Sequence, residues 1–87
     1  MYVSAMVMIA GEQFSDNVAC LTCGHVLYGS PIYLVARDQD GEWQFLCNKA
    51  HEPADARVIG LAEAVTLDGR LATLPALALN GSTLLRR

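Results

Sequence analysis

Two cysteines separated by two residues, Cys20-Leu21-Thr22-Cys23, and a cysteine followed four positions later by a histidine, Cys47-Asn48-Lys49-Ala50-His51, are the residues here best able to do chemistry. Thiolates and imidazoles are the donors a tetrahedral zinc ion takes, and a closely spaced cysteine pair can grip one ion from a tight turn. Gly24, directly after Cys23, relieves the backbone where N–H groups fold back towards the sulfurs. These spacings make Cys20, Cys23, Cys47 and His51 a candidate Cys₃His zinc site, with His25 as a substitute fourth ligand. Such a zinc is expected to be structural, stabilising a domain too short for a large core.

Two rival readings of the same thiols stand beside this one. Cysteine is among the most often buried residue types, so three in an apolar chain can simply pack. If residues 20–23 are extended, Cys20 and Cys23 point to opposite faces and cannot share an ion. The other rival is a thiol enzyme built on Cys20 or Cys23 with His25. A thioredoxin-type pair needs a helix N-terminus to lower the thiol pKa, and Gly24, Gly29 and Pro31 leave little helix after Cys23. No Gly-rich phosphate loop, nucleophile elbow or helical histidine–carboxylate motif is present, so no catalytic residues are assigned and no enzyme is expected.

The elements that must position the thiols follow from periodicity. Residues 1–17 read as an apolar and polar lead-in, and 18–87 as one small α+β domain. Residues 18–23 form a short strand entering a Gly24-His25 turn. Residues 32–36 (IYLVA) are β-branched and aromatic between breakers, a strand. Asp40-Gly41 suits a tight hairpin, and residues 43–47 (WQFLC) return, with Trp43, Phe45 and Cys47 on one face. Further on, Asp55 can cap a helix carrying Val58, Leu61, Ala62 and Val65, although Gly60 leaves a strand through 56–59 open. Asp68 can cap a second short helix ending near Pro75. The expected fold is thus a small antiparallel hairpin or sheet, with a zinc-ribbon-like knuckle, followed by one or two short helices.

Composition narrows the function. With 87 residues, six cationic against nine acidic side chains and net charge −3, the chain has no basic stripe for nucleic acid. Its 17% charged and 53% hydrophobic content argues against disorder. The longest uncharged run, 17–36, holds Gly24, His25, Gly29 and Pro31, so no membrane segment is expected. No basic residue precedes the apolar stretch 2–10, which reads as a strand or covered segment rather than a signal, and the expected compartment is the cytoplasm. The apolar ends 2–10 and 76–85 are expected to cover one another, a partner or a second copy in a homodimer. Asp38, Asp40 and Glu42 alternate like calcium ligands, but the closing bidentate Glu is missing. They read instead as a solvated tip that, with Trp43 at its border, offers a binding surface to a basic protein partner.

Taken together, residues 38–47 (DQDGEWQFLC), His51 and residues 55–63 (DARVIGLAE) resemble small bacterial domains of unknown function that are themselves similar to immunity proteins of toxin systems. The resemblance spans roughly residues 18–74 and is carried by Trp43, Phe45, Cys47, Asp55 and Val58. The ending, with Asn80-Gly81-Ser82-Thr83 and no aromatic residue, departs from the aromatic ending of those domains. What the resemblance implies is a non-catalytic role, neutralising a cognate bacterial toxin by covering it. The alternative reading is a zinc-ribbon-like adaptor with a structural metal.

Overall fold

The structure, a computed structural model, describes residues 6–85. Strands β1 (Met6–Ile9) and β2 (Glu12–Ser15) pair antiparallel, Ile9 opposite Glu12. Ala10 and Gly11 turn the chain with positive φ of 51° and 80°, the two-residue turn whose twist matches that of the flanking strands. Ile9 and Ala10 are fully buried, and the Ala10 N–H donates to the Leu71 carbonyl at 3.4 Å. The segment read as a lead-in therefore supplies a hairpin that closes the core. Residues 2–5 of the apolar stretch lie outside the described residues.

The second sheet has five strands in the order β6-β3-β5-β4-β7. Strand β3 (Ala19–Cys23) leads into α1 (Gly24–Leu27), a single helical turn, and β4 (Leu34–Arg37) and β5 (Trp43–Leu46) make the expected hairpin. Its tip is a three-residue loop, 39–41, rather than a two-residue turn. Asp38 and Glu42 remain bonded across it, with Gly41 at φ 86°. The Asp38 carboxylate accepts from the backbone N–H groups of Asp40 (2.8 Å) and Glu42 (2.9 Å), which pins the loop. The alternation along β5 holds: Trp43 and Phe45 are buried, and Gln44 and Leu46 are partly exposed.

One pairing is not antiparallel. β3 runs parallel to β5, with Leu21 beside Gln44 and Thr22 beside Phe45. Parallel neighbours end on the same side, so the chain leaving β3 must cross the end of β5 to reach β4. That crossing, residues 24–33, carries α1 over the exit of β5. The functional geometry follows from this.

The segment after His51 corrects the expected helix. Pro53–Asp55 is a 3₁₀ turn, closed by the Asp55 carboxylate accepting from the Glu52 N–H at 2.9 Å. Residues Ala56–Gly60 are strand β6, paired antiparallel with all of β3, and Val58 is 72% exposed rather than on a buried helical stripe. Adjacent β-branched Val58 and Ile59 favour the extended state, and the unpaired donors of β3 supply its partner. The helix α2 begins only at Leu61 (Leu61–Leu67), burying Leu61 and Ala64. Asp68 caps the next 3₁₀ turn, Gly69–Thr73, accepting from the Arg70 N–H at 3.1 Å, and Leu71 fills the core. β7 (Ser82–Leu84) closes the far edge against β4. No described helix is long and apolar enough to cross a membrane.

Candidate metal centre

The parallel register sets Cys23 at the end of β3 and Cys47 just past the end of β5, and their sulfurs lie 3.5 Å apart. α1 turns His25 back so that its Nδ1 is 3.5 Å from the Cys47 sulfur. The chain leaving β5 turns at Asn48–Ala50 and brings His51 Nε2 to 3.3 Å from the same sulfur. The two imidazole rings meet at 5.6 Å, tilted by 51°. All four donor atoms lie within 4.8 Å of one another, close enough to hold a metal ion. A tetrahedral zinc with bonds of about 2.3 Å to sulfur and about 2.0 Å to nitrogen would set sulfur–sulfur near ~3.8 Å and sulfur–nitrogen near ~3.5 Å. The distances from the Cys47 sulfur to the other three donors come within about 0.3 Å of those edges, and the remaining pairs lie within 4.8 Å.

Electrostatics treat the two sulfurs differently. Burial raises the Cys23 thiol, but backbone N–H groups of Cys47 and Val26, with His51 and the Cys47 thiol, donate to its sulfur and outweigh burial, taking the pKa from 9.0 to about 7. Burial pushes the Cys47 thiol up, opposed by the Lys49 N–H, while the neighbouring Cys23 sulfur adds to the rise. Cys23 is thus eased towards the thiolate a metal requires, whereas Cys47 is held towards the thiol and would give up its proton to an incoming ion.

Cys20 is not among the clustered donors. Residues 20 and 23 of an extended strand face opposite ways, and Cys20 is buried on the other face, where the charge of Glu63 on α2 reaches it. Burial first and that charge second push its thiol up to about 11. The fourth position falls to His25, whose signal in the sequence was its place two residues after Cys23. Treated with iodoacetamide at about pH 8, the native protein should leave Cys20 unmodified, since almost no thiolate exists there and the sulfur is covered. Peptide mapping checks this; labelling at the rate of an unfolded control would show that Cys20 is exposed and reactive.

The residues read as partner-binding separate into two groups. Asp40 and Glu42 are exposed at the hairpin tip, and Asp38 is partly buried and turned to the loop backbone. Trp43 is 1% exposed and not offered at the surface. Its ring stacks on Phe45 at 6.0 Å and meets Phe14 edge-on at 5.9 Å, with the Arg37 guanidinium 4.9 Å above it. Its position bordering the turn suggested exposure, but the β1–β2 hairpin brings Phe14 over it.

No protein-family model matches the chain, and no curated protein or solved structure is matched by it. The geometry of the site is therefore the ground on which a function can be read.

Proposed function

We propose that the chain is a zinc-binding module in which Cys23, His25, Cys47 and His51 hold one structural ion. The observation that carries this reading is the convergence of four donors from two strand ends within 4.8 Å. Two thiolates and two neutral imidazoles balance the charge of a divalent zinc, so a partly buried site stays electrically neutral. Four protein donors leave no open position for substrate water, which supports a structural rather than a catalytic ion. Protein purified without chelators should carry about one zinc per chain, and cobalt substitution should give tetrahedral, thiolate-ligated spectra. Less than about 0.2 zinc per chain after purification in zinc-containing medium would overturn the reading.

The module is a scaffold for binding rather than chemistry. Exposed Asp40 and Glu42, in a chain of net charge −3, support a basic protein as partner, the role that the resemblance to immunity-like domains implies.

A further inference from the structure

Beside the proposed metal site, a cavity of about 630 Å³ opens between the loop 30–33 and the Asn48-Lys49 turn. We infer that it binds a small organic anion, an apolar body carrying one carboxylate or phosphate head. Its volume lies within the roughly 300–1,000 Å³ of small-molecule sites. Pro31, Ile32 and Leu85 give it apolar walls, Tyr33 adds a ring, and its two charged residues, Lys49 and Arg70, are both cations. Among the described residues, no carboxylate lines it.

The concentration of positive charge is what selects an anion. The chain holds six cationic residues in all. Arg37 is paired with Glu12 and lies over Trp43, and the guanidinium of Arg57 donates to the carbonyls of Ala54 and Ala56. The other two described cations, Lys49 and Arg70, both line the cavity. Lys49 is exposed and has no hydrogen-bond or ion-pair partner among the described residues. Arg70 is held in place by Asp68 at 2.6 Å and by the Ile32 carbonyl at 3.1 Å, contacts made through its Nε and one terminal nitrogen. Its other terminal nitrogen has no protein partner in those contacts. In a chain of net charge −3, a cleft whose described lining carries two cations and no carboxylate favours an anion, and because Asp68 offsets Arg70 the uncompensated charge is that of Lys49.

A second, smaller cavity shares Tyr33, Cys47, Asn48 and Lys49 with the first and adds Leu34, Leu46, Leu84 and His51. The cationic rim thus borders a leucine-lined groove, which is the reason for an apolar body on the ligand. The inference does not rest on the metal, since neither cation is a donor to it.

The test is a titration of the full chain, as purified, followed by amide chemical shifts, with phenyl phosphate, phenylacetate and inorganic phosphate as probes. Saturable shifts at Tyr33, Asn48 and Lys49 with at least one organic anion are expected, and which of the two binds assigns the head group. Lys49→Glu, at an exposed position, should weaken that binding by about ten-fold or more. Gln39→Glu at the hairpin tip, the opposite end of β5, should leave it within about two-fold. The inference is overturned if neither organic anion saturates by about 10 mM, if inorganic phosphate binds as tightly as both, or if Lys49→Glu binds like the parent.

Discussion

Replacing Cys47 with Ala is expected to abolish the cooperative fold at room temperature, and removing the metal with a strong chelator should do the same to the unaltered chain. A structural zinc supplies about 10–16 kcal/mol of apparent binding free energy, against the roughly 5–15 kcal/mol by which whole domains are stable. A chain of 87 residues lies at the weak end, because little of its surface can be buried. Cys47 is also the hub of the cluster, its sulfur within 3.5 Å of the Cys23 sulfur and both imidazoles. Its loss frees the end of β5 from the crossing segment, so the parallel pairing of β3 and β5 loses its clamp. Acid should act in the same direction, since protons compete with the ion for all four donors and stability rises with pH while the metal is being taken up. Cys20→Ala is the control. It removes a buried thiol from the opposite face and should retain the zinc, at a cost of about 1 kcal/mol. Circular dichroism melts with zinc analysis check both variants. A Cys47→Ala protein melting within about 5 °C of the parent would show that the cluster is not a metal anchor.

That contrast between Cys20 and Cys47 marks how far the sequence could be read. Residue types alone pointed to a thiol–imidazole site, and Cys23, Cys47 and His51 do come together with His25. The membership of Cys20 depended on backbone phase, because a Cys-x-x-Cys stretch chelates from a turn and cannot chelate from a strand. Only the pairing of residues 19–23 with β6 along their whole length settles which it is. The β4–β5 hairpin was legible because alternation, a Gly-containing turn and adjacency in sequence agree there. The β3–β5 pairing was not, since it joins strands separated by another strand, and no local signal announces a parallel neighbour. The spacing of Val58, Leu61, Ala62 and Val65 reads as helix, with a strand through 56–59 only left open, and it is β3 that supplies the hydrogen-bond partners deciding for the strand. Lys49 stands out only in the structure, because a lone cation matters only where its neighbours leave it unpaired, and Arg70 beside it is held by Asp68.

Trp43→Ala is expected to cost about 3–5 kcal/mol, lowering the melting temperature by more than about 12 °C. The indole fills the space between β2 and the five-stranded sheet, touching Phe14 on one side and Phe45 on the other, and is 1% exposed. Truncation empties that space where two sheets meet, and neither backbone can collapse into it. It also strips the Arg37 guanidinium of one of the two rings beneath it, leaving Phe14 at 5.6 Å. Trp43→Phe separates volume from polarity. The indole Nε1–H is buried without a hydrogen-bond partner among the described residues. An orphaned donor of that kind costs about 1–3 kcal/mol, and phenylalanine removes it. The smaller ring leaves a gap of its own, so the two effects oppose, and Trp43→Phe should remain within about 1.5 kcal/mol of the parent. A tryptophan serving as a partner-binding hot spot would behave in the opposite way, since its truncation would leave the free domain unchanged and weaken only the complex. Thermal melts of the two variants therefore decide between core and interface. If Trp43→Ala melts with the parent, the indole is not packed as described and the β1–β2 hairpin does not cover the sheet.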